Sequence, residues 1–256
     1  MIEAKDVFFS YGSKEVLKGI SFSFENNRIL SILGPNGTGK TTFLRCVCGQ
    51  SRPSSGTISV DGTDISRLRG RELARKIGYV PQSAPASRIS VFDSILMGRR
   101  PYIDWMASEE DIDKVSAVIE GLGMESLSLK YLTEISGGEL QKTQIARAIV
   151  QEPSVLVLDE PTNNLDIANQ HRTMEMITDI VRSKDMCTIM TMHDINLATH
   201  YSDSFLFLKD GRIAAYGGCE VITEDLIKEV YGMDVEIVEH RGLPVVVPRS
   251  SPMYRS

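Results

Sequence analysis

No apolar run in this chain of 256 residues approaches the roughly 20 residues of a membrane-spanning helix. The opening Met1-Ile2-Glu3-Ala4-Lys5-Asp6 lacks a long apolar segment, which predicts no signal peptide. Any membrane role must then come through a partner. Cysteine is scarce: Cys46, Cys48, Cys187 and Cys219 show no zinc-ligand spacing and read as free, partly buried thiols in a reducing compartment. Basic clusters are also few. A net charge of -6 argues against nucleic acid as a partner, because phosphate contacts need clustered Lys and Arg. The arginines between Arg67 and Arg75 read as a solvated helix face. What remains is an ordinary globular composition, 42% hydrophobic and 24% charged. The length allows one large or two small domains with an ample core.

Against that background one stretch stands out. Gly34-Pro35-Asn36-Gly37-Thr38-Gly39-Lys40-Thr41 fits the phosphate-binding pattern G-x-x-x-x-G-K-[ST]. The apolar Ile29 to Leu33 before it reads as a buried strand, and Thr42 to Cys48 after it as a helix ending at Gly49. Glycines let the main chain approach an anion, and the helix N-terminus adds its partial positive charge. Lys40 supplies a point charge for the β- and γ-phosphates, and the Thr41 hydroxyl can ligate Mg²⁺.

Other stations lie along the chain. Strands around Val7-Phe8-Phe9 and Ile20 to Phe24 bracket a turn at Gly12-Ser13-Lys14, and Thr57 to Val60 with the Asp61-Gly62 turn begins a second pair. Tyr11, at the first turn, is either half-buried packing or a ring stacked on a base. Gln82 follows Ile77 to Val80, read as a central strand, where it is either solvated or within reach of a metal or water. Ile112, Val115, Ile119 and Leu122 recur at helical spacing. Before them, Arg99 to Met106 mixes aromatics, Met and Arg around Trp105, and reads either as an interface or as a satellite core.

Ser136-Gly137-Gly138-Glu139 opens a helix. Ser136 and Glu139 have the spacing of a capping box, and the glycine pair equally suits a second anion site. Val155 to Leu158 reads as a strand buried on both faces, ending in Asp159-Glu160. There Asp159 would hold a metal and Glu160 would polarise an attacking water. Ile167 to Val181 reads as a helix with His171 packed on its apolar side. Thr188 to Met192 is another buried strand, which makes His193 a candidate for the γ-phosphate. Ser204 to Leu208 and Arg212 to Tyr216 form a hairpin, Glu224 to Tyr231 a helix, Val245 to Val247 a short strand. His200 and His240 read as surface residues.

Together these stretches resemble the ATP-binding subunit of an ABC transporter over essentially the whole chain. Tyr11 matches the family's adenine-stacking aromatic and Gly34 to Thr41 its Walker A loop. Gln82 matches its Q-loop, Ser136-Gly137-Gly138 its signature, Val155 to Asp159 its Walker B strand and Glu160 its general base. Leu165-Asp166 matches its D-loop and His193 its switch histidine. Ile135 and Glu139 stand where the signature commonly has Leu and Gln, and Asn164 where the D-loop commonly has Ala. Pro81-Gln82-Ser83, Leu96-Met97-Gly98-Arg99, His193-Asp194-Ile195-Asn196-Leu197-Ala198 and Val230-Tyr231-Gly232-Met233-Asp234-Val235 look like the importers of iron–siderophore, heme and cobalamin.

The resemblance implies an α/β P-loop NTPase fold: a RecA-like core sheet, an antiparallel β subdomain and a helical subdomain carrying the signature. As one domain it would divide at about 1–87 and 152–220 for the core, 88–151 for the helical part and 221–256 for a C-terminal extension. It implies nucleotide binding by Tyr11, Gly34 to Thr42, Gln82, Asp159 and, from a second copy, Ser136, Gly137 and Gly138. Catalysis would fall to Glu160, His193 and Lys40, with Mg²⁺ held by Thr41, Gln82 and Asp159. The partners implied are ATP, a twin subunit, permease subunits and an extracytoplasmic substrate-binding protein; the aromatic and Met content beside Gln82 makes residues 83–106 the candidate region for docking the permease. The place implied is the cytoplasmic face of a membrane, without nucleic acid. Rival readings are an exporter subunit, a soluble ABC-type ATPase acting in translation or DNA repair, and a small-molecule kinase or switch GTPase sharing the loop.

Overall fold

In the computed structural model, residues 1–83 and 87–249 are described. Residues 84–86 of the expected docking region and 250–256 of the expected extension lie outside them. In chain order the strands and helices are β1 (Ile2–Tyr11), β2 (Lys14–Phe24), β3 (Arg28–Leu33), α1 (Lys40–Val47), β4 (Ser55–Val60), β5 (Thr63–Asp64), α2 (Arg71–Lys76), β6 (Ile77–Val80), α3 (Val91–Leu96) and α4 (Glu109–Gly121). There follow α5 (Gly137–Ile149), β7 (Val155–Asp159), α6 (Ile167–Lys184), β8 (Cys187–Thr191), α7 (Ile195–Tyr201), β9 (Ser204–Lys209), β10 (Arg212–Gly217), α8 (Glu224–Tyr231), β11 (Val235–His240) and β12 (Leu243–Pro248).

Six strands form the central sheet in the order β10-β9-β3-β8-β7-β6. β9, β3, β8, β7 and β6 run parallel, and β10 returns antiparallel at one edge. The apolar runs of β3, β7, β8 and β9 are explained by burial on both faces, because successive side chains alternate between two cores. Leu30, Ile32, Val155, Val157, Leu206 and Leu208 face one core with α1 and the antiparallel sheet β2-β1-β4-β5. Ile29, Leu33, Leu156, Leu158, Phe205 and Phe207 face the other with α5, α6, α7 and α8.

A third core lies outside the sheet. Val91, Ile95, Val115, Ile119 and Leu132 gather there with Ala146 and Val150. α5 has two apolar faces, since Ile145, Ala148 and Ile149 belong to the sheet's core. That helix therefore fastens the helical part to the sheet.

Four expectations change. β6 is the edge strand, so Gln82 leaves the sheet at its margin and not at its centre. The arginines of 67–75 are exposed as expected but do not share a helix, because Gly70, with φ +49°, breaks the chain before α2. His171 is exposed and not packed in the core; its Nδ1 pairs with the Tyr201 hydroxyl at 2.9 Å. Arg99, expected in a docking surface, is 3% exposed: it bonds Asp111 at 2.9 Å and the Val150 carbonyl and Glu152 at 3.0 Å each, with its guanidinium over the Tyr102 ring. Trp105, in contrast, is 97% exposed and joins no core. No helix among the described residues is long and apolar enough to cross a membrane.

Candidate functional site: a phosphate loop facing three strand ends

The loop from β3 into α1 is built for close approach. Gly34 has φ +143°, and a Cβ there would fall 2.3 Å from the Leu208 carbonyl oxygen, so only glycine fits. Gly39 caps α1 with φ +105° and offers no side-chain oxygen, and the first turn holds no acidic residue. The first amides of α1 are thus left without a side-chain cap, and the positive end of the helix is not neutralised from within. Lys40 is 6% exposed and folds back so that Nζ donates to the carbonyls of Gly34 at 2.6 Å and Pro35 at 3.1 Å. Burial lowers its pKa, against the pull of the Glu160 and Asp159 charges. The Thr38 hydroxyl also donates to Pro35, at 2.9 Å.

A cavity of about 260 Å³ opens over this loop. Asn36, Gly37, Gly39, Lys40, Thr41 and Thr42 line it, with Glu160 at one side. Tyr11, Lys14 and Val16 from the β1–β2 turn close the other. Tyr11 is 49% exposed, and its ring meets Phe9 edge-on at 4.8 Å, which leaves a face for a planar group.

Opposite the loop the parallel register sets three strand ends side by side. Asp159, last in β7, pairs with Thr191, last in β8. The Thr191 hydroxyl donates to Asp159 Oδ1 at 2.7 Å and accepts the Glu160 amide at 2.9 Å. Thr41 donates to the same Oδ1 at 3.3 Å. Glu160 takes φ +50°, a left-handed conformation uncommon outside glycine. The turn aims its carboxylate at two neighbours: Oε2 accepts from Gln82 Nε2 at 2.5 Å, and Oε1 shares a hydrogen bond with His193 Nε2 at 2.5 Å. Gln82, Glu160 and His193, from the ends of β6, β7 and β8, meet at one carboxylate. Asn163 Nδ2 adds a bond to Oε2 at 3.1 Å. Thr191 and Asn163 were not foreseen. Only strand register puts Thr191 beside Asp159, and Asn163 is one of several polar residues in its loop.

The Ser136 turn stands apart from this cavity. Ser136 and Gly138 line a different one with Glu139, Lys142, Asn169 and Arg172. The capping box forms: Glu139 Oε2 accepts the Ser136 amide and hydroxyl, each at 2.7 Å, and those bonds hold its carboxyl below the ordinary carboxylate range. A carboxylate therefore sits where the signature commonly has an amide.

A family model described as ABC transporter matches residues 17–163 of the chain. The chain belongs to the ABC transporter family. It is 49% identical to an uncharacterized ABC transporter ATP-binding protein of Methanocaldococcus jannaschii, over 97% of this chain and 98% of the relative. It is 34% identical to the petrobactin import ATP-binding protein of Bacillus subtilis, over 93% and 95%. A solved inward-facing transporter described as metal-chelate type matches at a TM-score of 0.85 and 26% identity, over 97% of both chains. The P-loop NTPase fold is that of the family's ATP-binding cassettes, and the chain is an ABC ATPase that binds ATP.

Proposed function

We propose that two copies of this ABC ATPase bind two ATP molecules at a shared two-fold interface, and that hydrolysis drives uptake of a metal chelate through a membrane permease. The supporting observation is the division of anion-binding parts within one chain: the phosphate loop lines one cavity and Ser136 another. A two-fold axis sets such a face against its twin. Gly34 to Thr42 of one copy then cradles the phosphates while Tyr11 stacks on adenine. Ser136 and the amides of Gly137 and Gly138 from the other copy close over the γ-phosphate.

Glu160 takes a proton from the attacking water. The water oxygen bonds the γ-phosphorus as the bond to the β–γ bridging oxygen breaks, giving ADP and phosphate. His193 holds Glu160 through Oε1 and faces the γ-phosphate; Lys40 turns its ammonium from the loop carbonyls to the β- and γ-oxygens. The Thr41 hydroxyl lies 3.3 Å from Asp159 Oδ1, so one hydroxyl and one carboxylate converge beside the phosphate loop. That suits Mg²⁺, which takes one or two carboxylates and fills its remaining places with phosphate oxygens and water. Thr41, Asp159 and the Gln82 carbonyl would hold it, and when bound it neutralises charge on the phosphates.

The permease docks beside Gln82, on the exposed Arg100, Trp105 and Met106, and anchors the subunit at the cytoplasmic face. Iron–siderophore is the first choice of cargo, heme or cobalamin the next, and an extracytoplasmic binding protein delivers it. The petrobactin relative and the metal-chelate type transporter support that choice. The test is to purify tagged Glu160→Gln protein with ATP from detergent-solubilised membranes, then to reconstitute its partner with the wild-type subunit in vesicles and assay uptake of ferric siderophore, heme and cobalamin. A polytopic partner and ATP-dependent uptake of one of them is the expected result. A soluble partner, or none, overturns the transport reading.

A further inference from the structure

Two stretches that carried the narrower resemblance, 193–198 and 230–235, belong to one core, with Leu197, Ala198, Val230 and Val235 buried in it beside Val246 of β12. α7 starts two residues after His193, with the Asp194 side chain accepting the Leu197 amide at 3.0 Å, so the histidine runs straight into a capped helix. On that first turn Asn196 behaves like a strand partner for the chain's end. Its Nδ2 donates to the Val246 carbonyl at 3.1 Å, and its Oδ1 accepts the Val246 amide at 2.8 Å. Val246 is buried in the same core as Leu197 and Ala198. β12 is in turn held to α8, because Glu224 accepts the Ile237 amide at 3.2 Å and pairs with Arg249 at 2.9 Å. At the other end of α8, the Tyr231 hydroxyl is buried beside the backbone of Gly34. The tail thus touches both sides of the nucleotide site: the helix that carries His193 and the first glycine of the phosphate loop.

We infer that residues 221–249 are a strap that positions the catalytic edge, with Asn196 as the positioning residue that ties it to His193. Asn196 touches no part of the nucleotide cavity, so it acts only through α7. It lies three residues from His193, less than one helical turn, so a shift of its backbone is passed on to the imidazole. The strap therefore links the two sides of the site with no contact to ATP.

The inference rests on the reading of His193 given above, and a mutant cycle in the full chain separates the two. Asn196→Ala is expected to lower kcat for ATP by about tenfold, the loss of one or two positioning hydrogen bonds, with KM within about twofold. In a His193→Ala background the same change is expected to cause no further loss, because its effect passes through that imidazole. Wild-type kcat in Asn196→Ala, or an equal fold-loss in both backgrounds, overturns the strap. Wild-type turnover in His193→Ala alone overturns the reading of His193 and the strap's route to catalysis together, whereas lowered turnover in His193→Ala with wild-type kcat in Asn196→Ala overturns the strap alone. Should Asn196→Ala fail to fold, Asn196→Asp keeps the acceptor for the Val246 amide and sets a carboxylate against its carbonyl, and the same split in kcat and KM is expected.

Discussion

Glu160, one residue past β7, and His193, two residues past β8, share a hydrogen bond between Oε1 and Nε2 at 2.5 Å. Together with the Gln82 bond to Oε2, this fixes the carboxylate before any substrate arrives. A base held by neighbours keeps its aim when its charge is removed. Glu160→Gln is therefore expected to retain the fold and ATP binding while turnover falls by about 10²–10⁴-fold. Single-turnover hydrolysis beside an ATP-binding titration checks both halves, and wild-type turnover removes Glu160 as base.

Glu139 invites a gain of function. Its carboxylate occupies the N-terminus of α5, where the proposed mechanism brings a γ-phosphate from the opposed copy. Its pKa lies below the ordinary range, so it is charged at neutral pH. Glu139→Gln removes that repulsion, and the ATP concentration for half-maximal turnover is expected to fall by a few-fold, with larger effects at low salt. An unchanged or higher value across salt concentrations contradicts that placement.

Arg99 makes a different kind of prediction, about stability. Removing one member of a buried ion pair leaves the other unpaired, and Arg99→Ala is expected to destabilise by about 3–5 kcal/mol. Burial raises the Asp111 carboxyl, but hydrogen bonds from Arg99 and Ser108 outweigh it and hold its pKa below the usual range. A depressed folded pKa gives stability that is present above the unfolded value, about 3.9, and is lost as pH falls through the folded one. Denaturant midpoints should then show the wild-type advantage at pH 7 and its shrinkage at acid pH. An advantage that grows on acidification contradicts the pairing.

The docking proposal separates Arg100 and Trp105 from Arg99. Charge reversal at Arg100 combined with Trp105→Ala should leave stability and the ATPase of the free subunit within error, since both side chains are exposed. Capture of the permease should fall by about tenfold or more, as expected for an aromatic anchor and its neighbour. Unchanged capture moves the docking site elsewhere.

Local signals served the sequence reading well. The phosphate loop, the Ser136 capping box, the hairpin of Ser204 to Leu208 with Arg212 to Tyr216 and the helix from Glu224 to Tyr231 each depend on residues near one another in the chain, and each stands where expected. Signals that need tertiary context were lost. β6 reads like an inner strand because α2 and α5 cover it, and only strand order shows it at the edge. His171 continues the stripe of Met174, Ile177 and Val181 by spacing, but there Tyr201 and His200 face it instead of core. Periodicity gives the buried face of a helix and not how far the core extends along it. Arg99 looked like surface because its three partners lie 12, 51 and 53 positions away.

Light scattering of Glu160→Gln protein with and without ATP and Mg²⁺ tests the split site. A monomer alone and a dimer with ATP are expected. Glu160→Gln/Ser136→Arg protein is expected to bind ATP yet remain monomeric, because the arginine fills the place of the opposed phosphate. A double variant that dimerises with ATP, or a Glu160→Gln protein that binds ATP as a monomer at every concentration, contradicts the split site.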